Sequence, residues 1–249
     1  MVIALILSGG TGRRMGTDIP KQYIKVGGRS VISWCMECLA VHPEIDAIQI
    51  VAEEMWRGTI LECMEYIGSG HNNVKFSDKF KGFSDPGENR QLSILHGLED
   101  IREYASDSDY VLIHDAARPM LPAQQITDCL TAVTGHDGVI PVLPMKDTVY
   151  LSKDGKTITS LLDRSQIYAG QAPELFVLGK YYEANKKMTL ENIMQINGST
   201  EPAVMAGMDI AMIPGDEKNF KITTMADLER FGEIVGEGSF DSDEGMGTT

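Results

Sequence analysis

The sequence predicts an α/β protein with a doubly wound, mostly parallel sheet and one projecting β-arm. Short apolar runs rich in β-branched residues alternate with amphipathic stretches, which is typical of parallel strands joined by helices that cover both faces. The first of these runs, residues 2–7, leads directly into a glycine-rich segment. Between residues 145 and 168 the alternation stops, and two short runs around a glycine predict a hairpin.

Each element of the sheet follows from a run of this kind. The predicted strands cover residues 2–7, 47–52, 74–77, 110–114, 138–143 and 209–213, and the chain returns to the sheet over residues 167–176. The predicted helices cover about residues 31–41, 55–67, 90–104, a segment after residue 122, 177–188 and 224–235. Ser30 is the predicted cap of the first helix. The stretch from about residue 189 to residue 207 has no clear period.

The arm is predicted from a strand, a turn and a second strand. Residues 148–151 and 157–159 are the two strands, and Gly155 lies in the turn between them. We expect the segment 145–168 to project from the main sheet.

Length and composition indicate one domain that covers residues 1–235. The chain has 249 residues, enough for one large α/β unit with a modest insertion. Residues 236–249 are polar and acidic, so we expect a disordered tail there.

The charge balance limits the partners of the protein. A net charge of -14 argues against nucleic acid, because a protein needs a surplus of Lys and Arg to displace counterions from phosphates. No apolar run approaches the roughly 18 residues of a membrane helix, and the first residues lack the basic start of a signal peptide. We therefore expect a cytoplasmic protein with no membrane partner, in which any anionic ligand binds at a local basic island.

The cysteines predict neither a disulfide framework nor a zinc site. All four lie inside apolar stretches, and Cys35 and Cys38 are spaced as two thiols on one helix, with no second pair to complete a metal site. We interpret them as core residues.

The glycine-rich segment after the first strand predicts a phosphate site. Ligands of an open parallel sheet bind beyond the carboxyl ends of its strands, and the segment places Gly9, Gly10 and Gly12 there, where backbone N–H groups can approach phosphate oxygens. The Gly-Lys-Ser/Thr ending of a Walker loop is absent. Met15 stands where a dinucleotide fingerprint needs its third glycine, which disfavours a hydride-transferring enzyme.

Basic residues crowd the same segment of this acidic chain. Arg13, Arg14 and Lys21 favour a triphosphate ligand, because charge-assisted contacts from Arg and Lys offset several phosphate charges. The alternative is a tight turn with solvated arginines.

Two further segments are predicted to lie near this loop. Asp115 follows a predicted strand, so it reaches the same sheet edge, where a carboxylate among phosphates suits Mg²⁺. Its alternative role is to cap the next turn and pair with Arg118. Gly87 precedes a helix whose first turn contains Arg90 and Ser93 and offers fixed donors and acceptors. The alternative there is an ordinary capped surface helix with Arg90 solvated.

These motifs occur in an order that resembles one family across the chain to about residue 235. SGGTGRRMG with PKQ, ENRQLSILHGL, HDAARP, MKDTV, DR, GQAPELF and NFKIT resemble the cytidylyltransferase family that includes the methylerythritol 4-phosphate and ribitol 5-phosphate enzymes. The resemblance implies a Rossmann-like sheet of the nucleotide-diphospho-sugar transferase type. It also implies a homodimer formed through the arm, Mg²⁺ as cofactor, and transfer of CMP from CTP to a polyol phosphate with release of pyrophosphate.

The resemblance also assigns roles to individual residues. Those implied to be catalytic are Arg14, Lys21 and Lys221. Those implied to bind the nucleotide are Ser8, Gly9, Gly10, Gly12, Gly87, Arg90, Ser93, Asp115 and Ala116, with Asp115 also the metal ligand and Gly87 to Ser93 the cytosine-reading turn. Those implied to bind the acceptor are Arg118, Thr148 and Arg164, with one or both of the arm residues supplied by a second subunit.

The chain departs from the family pattern at two points. It has Ala172-Pro173-Glu174 where Thr-Pro-Gln is usual, and Ser199-Thr200-Glu201-Pro202 where isoprenoid-pathway members carry Thr-Asp-Glu-Ala. We take 2-C-methyl-D-erythritol 4-phosphate of the non-mevalonate isoprenoid pathway as the expected acceptor and ribitol 5-phosphate or another polyol phosphate as the alternative. A non-catalytic nucleotide-binding scaffold is an alternative of another class, and the retained basic residues count against it.

Overall fold

The computed structural model describes residues 1–10, 19–69, 76–196 and 198–236 of the chain. Its strands, in chain order, are β1 (Val2–Leu7), β2 (Lys25–Val26), β3 (Arg29–Ser30), β4 (Ala47–Val51), β5 (Phe80–Ser84), β6 (Tyr110–Asp115), β7 (Gly138–Pro144), β8 (Val149–Leu151), β9 (Ser160–Leu162), β10 (Tyr168–Gly170), β11 (Glu174–Val177) and β12 (Ile210–Pro214). Its α-helices are α1 (Val31–Val41), α2 (Glu54–Gly68), α3 (Phe76–Lys79), α4 (Arg90–Ile101), α5 (Ala123–Ala132), α6 (Leu178–Lys186), α7 (Leu190–Gln195), α8 (Glu201–Met205) and α9 (Met225–Val235).

The main sheet is mixed, and most of its strands are parallel. β5, β4, β1 and β6 lie side by side in one direction. β11 runs against both β6 and β7, so β7 has the same direction as β6, and β12 is parallel to β7. β10 pairs antiparallel with the far end of β7. The predicted mostly parallel sheet is confirmed, with β10 and β11 as the reversed strands among those described.

Helices cover both faces of this sheet, as a doubly wound fold requires. On one face, Met36 of α1 and Ile126 of α5 are fully buried in a common cluster with the sheet. On the other face, Leu98 of α4 and Tyr181 of α6 are buried against the strands. Because both faces are covered, β1 is a continuous apolar run instead of an alternating one, and residues 3–6 have no exposed surface.

A third, smaller cluster docks the last described helix. Phe231 and Leu228 of α9 pack on Val26 and Val31, beside the β2–β3 hairpin. α9 begins with a capping box in which the Thr224 hydroxyl accepts from the backbone of Asp227 and the Asp227 carboxylate accepts from the backbone of Thr224.

The structure corrects several local predictions. Residues 76 and 77 of the predicted strand 74–77 belong to α3, residues 74 and 75 lie outside the described residues, and the strand itself is β5. Gly82, with φ of 147°, and a register shift against β4 make β5 irregular, which weakens its sequence pattern. Ser30 occupies the cap position of α1, but its side chain makes no capping hydrogen bond.

Two other segments differ from prediction. The second strand of the arm is β9, three residues beyond the predicted 157–159. The segment without clear period contains α7 and α8, which are too short to show the apolar repeat of a helix. β8 and β9 pair with each other in a separate two-stranded sheet. The segment 145–168 as a dimerisation arm stays a prediction, as does the single domain of residues 1–235, and residues 237–249 of the predicted tail lie outside the described part.

Candidate functional site

The glycine-rich loop leaves the carboxyl end of β1 and is fixed at its start by one buried side chain. The amide nitrogen of Gln22 donates to the backbone oxygens of Ser8 and Gly10, each at 2.7 Å. The Ser8 hydroxyl donates to the Tyr23 hydroxyl at 2.8 Å. The Pro-Lys-Gln segment therefore holds the first residues of the loop in place.

Some predicted loop residues lie outside the described part of the chain. Gly12, Arg13 and Arg14 belong to residues 11–18, and their roles remain predictions. Lys21 is described: it is partly buried and begins a single 3-10 turn, Lys21–Tyr23, directly before the anchoring glutamine.

The loop after β1 touches the turn before α4. A Cβ atom on Gly9 would lie 2.5 Å from the Cβ of Pro86, so only glycine allows this approach. A Cβ on Gly87 would lie 2.3 Å from the Cβ of Leu92. The structure thus brings together two segments that the sequence predicted as parts of one nucleotide site.

The first turn of α4 is organised by Asn89 and Ser93. The Asn89 side chain accepts from the backbone N–H of Leu92 at 2.8 Å and donates to the backbone oxygen of Ile193 at 2.7 Å. The Ser93 hydroxyl accepts from the Gly87 N–H at 3.0 Å and donates to the Asn89 oxygen at 2.8 Å. The Ser93 hydroxyl thus bridges the two ends of this turn. Asn89 was not among the predicted site residues, although Asn before an apolar periodic run is a helix-start signal.

Three cations converge on the carboxylate of Asp115 at the end of β6. Arg90 contacts Oδ1 through Nη2 at 3.0 Å and Nε at 3.1 Å. Lys221 contacts Oδ2 through Nζ at 3.0 Å, and the Nε of Arg118 lies 3.5 Å from the same oxygen. Arg90 is therefore not a solvated helix charge, and the Asp115–Arg118 pair proposed as an alternative is present within a larger cluster. Ala116, buried beside Asp115, donates its N–H to the Leu7 oxygen at 3.1 Å, which joins this turn to the end of β1.

The cluster keeps Asp115 ionised. Burial raises the pKa of this carboxyl, but Arg90, Lys221 and Arg118 lower it more strongly, so the pKa lies well below its ordinary value. Burial lowers the pKa of the Arg118 guanidinium despite the neighbouring carboxylate. Four charged side chains with a net positive charge thus meet at one sheet edge of an acidic protein.

Buried polar residues support the cluster from below. His114 has no exposed surface, and its Nε2 lies 3.0 Å from the Arg118 oxygen. Burial lowers the pKa of His114 to about 4, so this imidazole is neutral at physiological pH. Arg118 donates through Nη1 to the Asn219 oxygen at 2.6 Å, and the buried Asn219 amide donates to the oxygen of Ala172 at 2.7 Å. His114 and Asn219 lie inside the quoted motifs but had no assigned role.

The two predicted acceptor residues of the arm lie together. Thr148 and Arg164 line one cleft of about 470 Å³ at the base of the arm, with Leu161, Leu162 and Asp163. The Nη1 of Arg164 donates to the Lys146 oxygen at 2.7 Å, which fixes its position at the root of the hairpin. The described structure therefore has a cation cluster on the sheet edge and a separate cleft on the arm.

Apolar side chains are exposed along the arm. Between 45% and 66% of the surface of each of the following remains accessible: Tyr150, Leu151, Ile158, Leu161 and Tyr168. These five exposed apolar residues all lie in the segment 145–168 that the sequence predicted as an arm.

Comparison with known proteins assigns the family. The model of 2-C-methyl-D-erythritol 4-phosphate cytidylyltransferase, IspD, matches residues 2–237. The chain belongs to the IspD family. The match covers the loop after β1, the Asp115 turn, the arm and Lys221, so every segment of the candidate site lies inside the region that defines the family.

Curated relatives of the IspD family agree over most of the chain. The bifunctional enzyme IspD/IspF of Granulibacter bethesdensis is 33% identical over 232 residues, 92% of this chain and 55% of that protein. This chain therefore spans about half the length of the bifunctional relatives that it matches. The 2-C-methyl-D-erythritol 4-phosphate cytidylyltransferase of Syntrophotalea carbinolica is 33% identical, covering 91% of this chain and 93% of that one. The ribitol-5-phosphate cytidylyltransferase of Lacticaseibacillus paracasei is 26% identical, covering 93% and 96%.

A solved structure confirms the fold. The cytidylyltransferase IspD of Francisella tularensis superposes with a TM-score of 0.75 at 24% identity, covering 94% of this chain and 99% of that one. The predicted α/β nucleotidyltransferase fold is confirmed by this likeness.

The described ranges contain neither a cluster of metal-ligating side chains nor a membrane-spanning helix. In the described ranges, no group of three or more His, Cys, Asp and Glu side chains is arranged to hold a metal ion. No helix in the same ranges has the length and apolar character needed to cross a membrane.

Proposed function

We propose that this protein transfers CMP from CTP to 2-C-methyl-D-erythritol 4-phosphate and releases pyrophosphate. The observation that carries the proposal is the convergence of Arg90, Arg118 and Lys221 on Asp115, beside a glycine loop at the end of β1. Such a concentration of cations at a sheet edge suits a triphosphate that meets a second phosphate. Membership of the IspD family and the names of its relatives support the same reaction.

The residues present fit a magnesium ion that arrives with the nucleotide. Both oxygens of Asp115 are in contact with cations, and this single carboxylate is no complete metal site. Mg²⁺ is commonly held by one or two carboxylates together with substrate phosphates, so Asp115 suits an ion whose other ligands are phosphate oxygens. Bound there, Mg²⁺ would neutralise part of the negative charge of the phosphates.

The side chains of the protein bind, orient and neutralise the reactants. Lys21 and Lys221 offset the negative charge that builds up on the α-phosphate and on the departing pyrophosphate, and Arg14 is proposed to share this role. The acceptor phosphate attacks in line and is already ionised, so the site needs no general base. Positioning and charge stabilisation then supply most of the rate, as is usual in phosphoryl transfer.

The acceptor site is proposed to form between two copies of the chain. Thr148 and Arg164 share a cleft on the arm, and the exposed apolar side chains beside it offer a contact face for a second copy. A homodimer would place the arm cleft of one copy against the Asp115 cluster of its partner. We also propose that the enzyme acts in the cytoplasm, where CTP is available.

Ribitol 5-phosphate is the second candidate acceptor. It is favoured by the relative from Lacticaseibacillus paracasei, whose likeness covers nearly the whole of both proteins. Both acceptors are polyol phosphates, and the described cleft would present the same Thr148 and Arg164 to either.

One assay distinguishes these candidates. The purified protein is incubated with Mg²⁺, each of the four nucleoside triphosphates and a panel of polyol phosphates, and pyrophosphate release is measured. We expect release with CTP and 2-C-methyl-D-erythritol 4-phosphate. Release with CTP and ribitol 5-phosphate alone would select the second candidate, and no release with any pair would favour a non-catalytic scaffold.

A further inference from the structure

A buried carboxylate with no role in the proposed reaction lies beside the cation cluster. Glu174 is the first residue of β11 and only 8% of its surface is exposed. It pairs with Ile113 in the antiparallel register of β11 and β6, and Asp115 follows two residues later on β6. Because opposed residues and residues two apart share a sheet face, Glu174 and Asp115 project from the same face, under the start of α4.

A network of buried hydrogen bonds fixes Glu174 relative to α4. The Ser199 hydroxyl donates to the Glu174 carboxylate. The Tyr181 hydroxyl donates to the Ser199 oxygen at 2.7 Å, and the Gln91 amide donates to the Tyr181 hydroxyl at 3.4 Å. Since Gln91 directly follows Arg90, the same network holds both the carboxylate and the first turn that carries the arginine.

The charge of Glu174 is costly at this position and needs a counter-charge. Burial raises the pKa of Glu174, and the strongest opposing effect comes from Arg90. Burial also disfavours the charged form of Arg90, but Asp115 first and Glu174 second raise the pKa of that guanidinium above its ordinary value. Arg90 thus forms an ion pair with Asp115, which belongs to the proposed nucleotide site, and also feels the charge of Glu174 from the same face of the sheet.

We propose that Glu174 is a positioning residue that serves as the second counter-charge of Arg90 and holds it in place when Asp115 turns to the magnesium nucleotide. In the free protein both carboxylates act on Arg90. After the nucleotide has engaged Asp115, Glu174 remains to neutralise the arginine, which would otherwise be a partly buried cation without a partner. This inference rests on the proposed function, since it needs a nucleotide at Asp115.

Thr200 offers a second position for a carboxylate beside this network. It directly follows Ser199, whose hydroxyl donates to Glu174, and it precedes the first residue of α8. An acidic side chain at position 200 would therefore lie next to the same cluster.

The test is a comparison of Glu174→Gln with the wild-type protein. The amide keeps the size of the side chain and an acceptor for the Ser199 hydroxyl, but it removes the charge. We expect the Kd and KM for CTP in the presence of Mg²⁺ to rise about tenfold, as for other outer-shell partners of a ligand-binding residue. The kcat at saturating CTP should change little. The Tm should stay equal or rise, because a buried charge has been removed. Glu99→Gln, on the exposed side of α4, is the matched control and should bind CTP as the wild type does.

Other outcomes would overturn the inference. Unchanged or tighter CTP binding by Glu174→Gln would show that the charge does not position Arg90. A lower Tm with kcat and KM both impaired would assign a structural role instead. The double variant Glu174→Gln/Thr200→Asp returns a carboxylate to the cluster and should recover most of the affinity; a folded double variant that still binds weakly would contradict the charge argument. A wild-type protein that binds no CTP would overturn the proposed function itself.

Discussion

Lys221 and Arg90 contact different carboxylate oxygens of Asp115. The number of contacts that each makes indicates how easily each can leave the carboxylate. Arg90 makes two contacts with Oδ1, whereas Lys221 makes a single contact with Oδ2 from a side chain that is 34% exposed. A lysine on a flexible stem can leave the carboxylate for a phosphate oxygen at small cost. Lys221 is therefore the cation of the cluster best suited to contact the phosphate oxygens on which negative charge builds up during the proposed reaction.

The first prediction concerns Lys221→Met, which keeps the apolar stem and removes the charge. We expect pyrophosphate release with CTP and the preferred acceptor to fall by about 100-fold or more, as for the loss of one preorganised charge-stabilising group. The melting temperature should change little, since Asp115 keeps its two arginines. Lys218→Met, an exposed lysine on the same loop, is the control. Activity of Lys221→Met within threefold of the wild type would remove this residue from the mechanism.

At the residue scale the sequence predicted which side chains reach the sheet edge better than it predicted how they contact each other. Arg90, Asp115, Arg118 and Lys221 were all named, because each lies in a motif that reaches the same sheet edge. That three cations share one carboxylate depends on the paths of three separate turns, which no local pattern encodes. Glu174 was noticed as a departure but given no role, since its neighbours come from distant segments of the chain.

At the scale of elements, close backbone contact between turns builds the part of the site that we propose to bind the nucleotide. Gly9 packs on Pro86, and Gly87 packs on Leu92 in the first turn of α4. The contact at Gly87 involves backbone as well as side-chain atoms, so it cannot yield by a rotamer change. The position of α4, and with it Arg90, depends on this glycine.

We predict that Gly87→Ala lowers the free energy of unfolding by about 1–3 kcal/mol, the usual cost of overpacking. CTP binding should weaken as well, because the start of α4 must shift. Gly58→Ala tests the opposite sign: a Cβ at Gly58 in α2 meets nothing within 4 Å, so the helix should gain about 0.5–1 kcal/mol. Urea unfolding and calorimetric CTP titration measure both quantities. Equal stability of Gly87→Ala and the wild type would contradict the packing argument.

The start of α9 provides a prediction that depends on pH. The Asp227 carboxylate accepts hydrogen bonds from the backbone and hydroxyl groups of Thr223 and Thr224. Burial raises the pKa of Asp227, but these hydrogen bonds lower it by more, so the pKa lies below the ordinary value of an aspartate. A lowered carboxyl pKa stabilises the fold above the ordinary pKa, and this stability is lost as the pH falls through the lowered value.

Asp227→Asn should therefore lower the free energy of unfolding at pH 7 by about 0.5–1 kcal/mol, as for a charge at a helix N-terminus. The difference from the wild type should shrink as the pH falls below the ordinary pKa of an aspartate, where the carboxyl of the unfolded chain takes up its proton before the folded one does. Unfolding curves at pH 7 and pH 3 measure it. A difference that is the same at both pH values would show that the charge of Asp227 is not what stabilises α9.

Elements with a regular apolar period were predicted from the sequence, and those that depend on distant contacts were not. β1, β6 and α1 begin where the patterns indicated, because their burial repeats along the chain. β5 was misplaced since its irregular pairing with β4 disturbs the alternation. α7 was missed although it matters to the site, because its Ile193 oxygen binds Asn89 at the start of α4.

At the scale of the whole molecule, the proposed shared acceptor site needs a second copy of the chain. The arm exposes Ile158 and its apolar neighbours, and the cleft with Thr148 and Arg164 lies at the base of the same hairpin. We expect the wild-type protein to sediment as a dimer. Covering an apolar arm face against a partner removes it from water and stabilises the association.

We predict that Ile158→Glu shifts the protein toward monomer in sedimentation velocity, because the interface would have to bury a charge. The kcat/KM for the acceptor should fall by about tenfold, whereas CTP binding should persist. Met55→Glu on α2 is the control, since Met55 is 77% exposed and lies outside the arm. A monomeric wild type with full activity would contradict the shared acceptor site.

The two ends of the arm are neighbours in the sheet. Pro144, where β7 ends, is the register partner of Tyr168, where β10 begins. The two ends of this segment are held together by the pairing of β7 and β10. The segment can therefore be lengthened, shortened or replaced without changing the path of the rest of the chain. The proposed acceptor site and dimer contact could therefore be exchanged by grafting at this junction, without altering the sheet edge that carries the Asp115 cluster.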